Sequence, residues 1–387
     1  MKKINLALQG GGSHGAFTWG VLDRLLEEKE LEIEGISGTS AGAINAAVLA
    51  NGYENGGREE AKIALETFWY KISELGRISP LKQNPIDRVT QGWNLDWSLS
   101  YNYFDLLTRS FSPYEINPIN INPLQYLLEK TIDFEKLKTS TKIKLFVSAT
   151  SVMTGRARVF TTDEISVKVI LASACLPILF QSIEIENEYY WDGGYVGNPS
   201  LWPLIYGCKS RDIILVQINP LIRYKLPVKA HEIINRITEI SFNASLISEM
   251  RAIHFVSRMI NNSTLDKNVY KHLHMHMIES SEAMQELNAS SKMNTGWDFF
   301  LFLKGIGRDS AEQWLKYNSH HIGNSSSLDI EQVFFPQMLA EHPYIDEPVP
   351  AHALEALELS DNIAKKVQDC NGITPPSTGP TNQSLPR

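Results

Sequence analysis

Two glycine turns, each set between an apolar run and a helical one, constrain this chain more than any other feature. In INLALQGGGSHGAFTWGVLDRLLEE (residues 4–28), Ile4 to Gln9 predicts a buried strand and the glycines a tight turn. Phe17, Val21, Leu22, Leu25 and Leu26 then recur at helical spacing. Leu31 to Ser37 predicts a second strand running into Gly38-Thr39-Ser40-Ala41-Gly42. The segment AGAINAAVLANG predicts a helix closed by Asn51-Gly52. Strand, turn, helix, strand, turn, helix is how a parallel α/β sheet begins. KIKLFVSAT (142–150) and RDIILVQIN (211–219) read as further central strands.

The first turn, Gly10-Gly11-Gly12-Ser13-His14-Gly15, satisfies the G-x-G-x-x-G spacing of a dinucleotide loop. Glu32 and Glu34 fall near the register where such a fold keeps its ribose-binding acid. A nucleotide-binding oxidoreductase using the Gly10–Gly15 loop is therefore one function the residues allow. The second turn argues for another. G-x-S-x-G at a strand–helix junction is a nucleophile elbow, in which a sharp turn lifts a serine hydroxyl, here Ser40, clear of the sheet. Small flanking residues, Gly38 and Gly42, let strand and helix cross closely, and the helix N-terminus puts partial positive charge near a developing anion. Adjacent parallel strands would deliver both turns to the carboxyl edge of the sheet. The loop Gly10, Gly11, Gly12 and Ser13 then forms an oxyanion hole, with the bare N–H groups of Gly11 and Gly12 as donors.

Ser40 needs a proton acceptor. In NEYYWDGGYVGNPS (187–200), Asp192 ends an apolar-aromatic strand and precedes Gly193-Gly194, a constrained turn able to aim a carboxylate. Free Asp, with a pKa of about 3.9, is a poor base near neutrality. The three aromatic residues before Asp192 could desolvate it and raise that value. The plainer role of Asp-Gly is a β-turn.

The three motifs Gly10-Gly11-Gly12-x-x-Gly15, Gly38-Thr39-Ser40-Ala41-Gly42 and Asp192-Gly193-Gly194, in this order, closely resemble the patatin-like phospholipases, a family of lipid acyl hydrolases. The resemblance covers about residues 4–220. Ala172-Ser173-Ala174-Cys175-Leu176-Pro177 is similar to the family's segment before its aspartate, and SKMNTGWDFFLFLKGIGRDSAEQWL (291–315) is similar to the C-terminal extension of some bacterial members. The resemblance implies a three-layer α/β/α fold with a mostly parallel sheet. It also implies a Ser–Asp dyad, Ser40 and Asp192, acting on phospholipid or lysophospholipid esters through an acyl-enzyme, with no metal and no cofactor. His14 departs from the pattern: many members carry Arg or Lys there. That residue and Gly15 are expected to support the loop, and an imidazole leaves its permanent positive charge in doubt.

The remaining sequence narrows the rivals. A formal net charge of -8 gives no reason to propose a nucleic-acid surface. Cys175, Cys208 and Cys370 are too few and scattered for a disulfide frame or zinc cluster. The N-terminus lacks the apolar core of a signal peptide, and no run approaches the ~20 apolar residues of a membrane span. A cytoplasmic or membrane-peripheral protein with transient membrane-surface contact is expected, and export without a signal stays open. His272, His274 and His276 alternate in YKHLHMHMIE and read as a solvated strand face. A Ser–Asp–His triad through His254 or His272 follows the chain order of α/β-hydrolases, though Ser40 comes early for that fold. Aromatic residues from 93 to 114 read equally as a lipid-facing lid and as a cap on the core. A catalytically inactive lipid- or protein-binding module is the last alternative. The expected organisation is a catalytic domain over 1–220, a mainly helical extension over 221–345 packed on it, and a tail over 346–387, disordered from about 371.

Overall fold

The computed structural model describes residues 1–77, 92–96, 98–223, 226–228, 230–266, 269–280, 283–284 and 286–336. The tail from 346 and Trp97 lie outside the described residues. In chain order come β1 (Lys2–Leu8), α1 (Gly15–Leu25), β2 (Leu31–Gly38), α2 (Ala41–Gly76), α3 (Leu99–Ser110), α4 (Pro113–Ile116), α5 (Pro123–Thr131) and α6 (Phe134–Lys138). Then follow β3 (Lys144–Ser151), β4 (Ala157–Thr161), α7 (Val167–Ser173), β5 (Ile183–Ile185), β6 (Glu188–Asp192), α8 (Trp202–Gly207) and β7 (Asp212–Val216). The last are α9 (Ala230–Asn261), β8 (His274–Ile278), α10 (Trp297–Asn318) and α11 (Ile330–Phe334).

Strand alternation sorts the core into two layers. Ile4, Leu6 and Leu8 of β1 join Ile214 and Val216 of β7 in one apolar cluster with α1, α2 and α10. Ala7, Ile213 and Leu215 point the other way, into a second cluster with α8, α9 and α11. A sheet covered on both faces by helices is a three-layer α/β/α fold, and it explains why the central strands read as unbroken apolar runs. The sheet order is β5-β6-β3-β2-β1-β7-β8, with β4 also paired to β3. The pairs β1–β2, β1–β7, β2–β3 and β7–β8 are parallel, while β4 and β6 run antiparallel to β3, as β5 does to β6.

Three details differ from expectation. The helix after Ser40 does not end at Asn51-Gly52 but is broken later, at Gly56 and Gly57, where Gly57 has φ 75. Beyond that break the chain doubles back, and a Cβ on Gly52 would stand 2.7 Å from the Cα of Ala61, so Gly52 serves close packing and not a cap. Asn51 ties the neighbouring segment, donating to the Thr131 carbonyl and accepting the N–H of Asp133. The histidine strand is not solvated either. His276 is fully buried and His274 nearly so, because β8 sits beside β7 and both imidazoles meet the carboxylate of Asp212 at 3.2 Å. The mainly helical extension thus also contributes a strand to the sheet. Its α10 crosses α1 at glycine contacts: a Cβ on Gly20 would stand 2.1 Å from the Lys304 carbonyl oxygen, and one on Gly307 2.1 Å from that of Phe17.

The aromatic stretch divides. Trp93 packs on Phe299 and Phe302, whereas Tyr103, Phe111 and Tyr114 are exposed. No helix among the described residues is long and apolar enough to cross a membrane.

Candidate active site

The register of the sheet brings the two distant motifs level. Gly38 faces Val147 on β3, and Ser40 lies two residues further along its own chain. Asp192 faces Ala149, two residues beyond Val147 on the other side of β3. Both residues therefore reach the same height of the carboxyl edge.

Ser40 occupies φ 54, ψ −122, a left-handed backbone position unusual for a residue with a side chain. The surroundings over-determine it. Its N–H donates to Ser173 Oγ at 2.9 Å, and that hydroxyl donates to the Ser148 carbonyl at 2.7 Å. Thr39 Oγ1 donates to the Gly197 carbonyl at 2.6 Å. Gly42 lets the turn press on β1, since a Cβ there would stand 2.2 Å from the Leu8 carbonyl oxygen. α2 begins at the next residue, so the unsatisfied N–H groups of its first turn lie under the hydroxyl. Ser40 itself is 8% exposed.

Asp192 is fully buried at the end of β6. Its Oδ1 accepts the N–H of Gly194 at 2.7 Å, while Oδ2 has no hydrogen-bond partner among the described residues. Burial pushes the carboxyl up to about 7, against the opposing pull of the Gly194 N–H, the Ser40 hydroxyl and the Lys292 charge. The Ser40 hydroxyl is near enough to favour the carboxylate, but its geometry falls short of a well-formed hydrogen bond. Of the aromatics before it, Tyr190 is buried and Trp191 half-buried. Tyr189 is exposed and the Tyr190 hydroxyl donates to Glu188. The neighbours whose own ionisation Asp192 opposes are Cys175 and Tyr195.

The glycine loop lies against the elbow, with a Cβ on Gly10 only 2.6 Å from the Cβ of Ser40. Within the loop expected to form the oxyanion hole, the Gly10 N–H is already used, donating to Asn198 Oδ1 at 2.6 Å. Among the described residues the N–H groups of Gly11 and Gly12 meet no acceptor. Ser13 is buried within a short 3-10 turn (Gly12–His14) that follows them, and Gly15 abuts Ala41 and Trp69. His14 is buried, its Nε2 2.8 Å from Ser291 Oγ. Desolvation first, then Lys292 and Arg223, hold its pKa well below the usual histidine value, so it is neutral.

Several side chains in this construction were not singled out in the sequence. Gln9 Oε1 accepts the N–H groups of Ile218 and Asn219, and Gln9 Nε2 donates to the Asn198 carbonyl and to Asn243 Oδ1. Asn45 donates to the Gly15 carbonyl and accepts from Trp69. Buried amides scattered over the chain carry no periodic signal; only the adjacency of Gln9 to the glycines and of Asn198 to Asp192 could have marked two of them.

The acids proposed for a nucleotide ribose are committed elsewhere. Glu34 accepts the N–H groups of Lys209 and Ser210, ahead of β7, and Glu32 pairs with Lys3. Of the histidines considered for a triad, His254 is 3.8 Å from Glu331 and His272 stacks edge-on with His274; among the described residues neither hydrogen-bonds Ser40 or Asp192.

Solved structures similar to this chain include VipD from Legionella pneumophila, at 16% identity and a TM-score of 0.41, covering 95% of this chain and 77% of that one. Another is the heterodimeric ExoU–SpcU complex from the type III secretion system of Pseudomonas aeruginosa, at 15% identity and a TM-score of 0.34; 96% of this chain is covered and 63% of that one. No curated protein matches. The family model of the patatin-like phospholipases matches residues 6–205, more than half of the sequence. The chain belongs to the patatin-like phospholipase family.

Proposed function

We propose that this chain is a serine acyl hydrolase of phospholipid or lysophospholipid esters, with Ser40 as nucleophile and Asp192 as general base. The observation that carries it is the Asp192 carboxyl: buried beside the Ser40 hydroxyl, with one oxygen unpartnered among the described residues and its pKa pushed up by burial to about 7. A carboxylate desolvated to that degree is a far better base than free Asp, while still ionising near neutral pH.

Asp192 takes the Ser40 proton as Oγ attacks the ester carbonyl. The oxyanion forms before the N–H groups of Gly11 and Gly12, with the α2 N-terminus adding partial positive charge. Collapse of the tetrahedral intermediate expels the alcohol or lysolipid, which takes the proton back from Asp192. Water then attacks the acyl-enzyme with Asp192 again as base, and Ser40 is regenerated. No metal or cofactor enters the cycle. The exposed Tyr103, Leu106, Phe111, Tyr114 and Tyr126 are suited to transient contact with a lipid surface. Residues 221–335 fall in the same compact unit as the glycine loop, where Ser291 meets His14 and Lys292 holds Asn219.

The test compares the wild type with Ser40→Ala and Asp192→Asn on a chromogenic ester and on phospholipid vesicles. Both variants should lose at least about 10³-fold in kcat. Substantial turnover surviving either change overturns the dyad. Loss of all activity in a folded His254→Ala or His272→Ala chain establishes a triad instead. Vesicle binding by a wild type with no turnover of any ester points to a binding module.

A further inference from the structure

Besides Ser291, which meets His14, the extension reaches the glycine loop through Lys292. Lys292 Nζ donates to Asn219 Oδ1 at 2.8 Å. Asn219 Nδ2 donates in turn to the Gly10 carbonyl at 2.7 Å and to Gln9 Oε1 at 3.2 Å. The Lys292 backbone is just as close: a Cβ on Gly12, which has φ +58, would stand 2.7 Å from its carbonyl oxygen. The residue as a whole is half-buried, but its ammonium end is desolvated, and burial holds its pKa below the usual lysine value. The charged groups that act on it are Glu239, Arg223 and Asp192; Glu239 is ion-paired to both Arg223, at 2.7 Å, and Arg236, at 3.2 Å.

Acyl transfer at Ser40 develops negative charge in front of a loop whose own basic side chain, His14, is neutral. A cation enclosed behind that loop is worth more than one in water, since the low local dielectric weakens its field less. We propose that Lys292 is a positioning residue for the acyl transfer: through Asn219 it fixes the Gly10 carbonyl and so aims the loop N–H groups, and its charge favours the oxyanion. The assignment rests on the Ser40–Asp192 reading.

The test uses the full chain with Lys292→Gln, which keeps a donor and removes the charge, and Lys292→Arg, which keeps the charge. Labelling of Ser40 by a fluorophosphonate and the pH profile on a chromogenic ester are measured together. The Gln variant should label about tenfold or more slowly. Its kcat should fall with KM little changed, and the acid limb should move to higher pH, because Lys292 favours ionised Asp192. The Arg variant should recover most of the rate. A wild type that is not labelled overturns the dyad itself. A labelled wild type with a Gln variant equal to it in rate and acid limb overturns the role of Lys292 alone. If the Gln variant does not fold, Asn219→Ala breaks the relay while leaving the charge. It should lower kcat with the acid limb in place, and wild-type kcat in that variant overturns the proposal, as does an Arg variant no faster than a charge-free one.

Discussion

Gly10 and Ser40 are in such close apposition that a methyl group on the first would stand 2.6 Å from the Cβ of the second and 2.8 Å from the Thr39 carbonyl oxygen. Oxyanion loop and nucleophile turn are therefore packed as one object. Gly10→Ala must displace one of them, since neither obstacle is the free end of a flexible side chain. Turnover should drop by about 10²-fold, with a stability loss of about 1–3 kcal/mol. Ester hydrolysis and urea denaturation measure the two. An active and equally stable variant would show that the turns move independently.

The Asp192 carboxyl sets the pH response. As base it must be ionised, so kcat/KM should rise through an acid limb near pH 7. Its effect on stability has the opposite slope. Because the folded pKa lies above that of free Asp, about 3.9, the neutral carboxyl is favoured by folding. That contribution is complete below about pH 4 and is lost as pH rises through the folded value. Asp192→Asn cannot ionise and should be more stable than the wild type at pH 8, by up to about 4 kcal/mol, and equal to it near pH 4. Calorimetry at both pH values decides this; a variant less stable at pH 8 would contradict it.

Ser173 holds the Ser40 backbone without reaching substrate. Its hydroxyl is the acceptor for the Ser40 N–H and has its own acceptor in the Ser148 carbonyl. Ser173→Ala leaves a buried donor unmatched at about 1–3 kcal/mol. The strained turn can then relax, so kcat should fall several-fold while KM barely changes. Loss of folded enzyme would give the same split, so kcat is taken per site labelled by a fluorophosphonate; a wild-type kcat per labelled site would contradict the role of Ser173.

Gly20 and Gly307 face each other's helices where α1 and α10 cross. By helix propensity alone, alanine at either site is favoured by about 1 kcal/mol. Backbone oxygens 2.1 Å from the added carbon reverse the sign. Each Gly→Ala change should lower the urea midpoint, by about 1–3 kcal/mol in stability, and a raised midpoint would mean that the helices can separate at little cost.

Much of the architecture was written locally. The first two strands, their glycine turns and α1 each carry their signal within a dozen residues, and two of the three family motifs sit at those same turns. Where the reading failed, the deciding partner was remote. Gly52 looked like a helix stop because nothing nearby revealed that Ala61 would fold back on it. The alternating histidines looked solvated because Asp212, their acceptor, belongs to another strand. That the Gly10 N–H is taken was invisible because its acceptor, Asn198, lies 188 residues away. Lys292 lies in the stretch 291–315 that resembles the family's extension, but only the folded chain brings its ammonium to Asn219.

The resemblance that defines the family stops at residue 205, yet β1, which bears the glycine loop, has β7 and then β8 on its flank. A fragment trimmed to the matched stretch would leave β1 as a raw border, its backbone groups open to pairing with any neighbouring chain. It would also lose the lysine behind the loop. The matched stretch thus ends before the strands on that flank of β1, the last of them at 274–278.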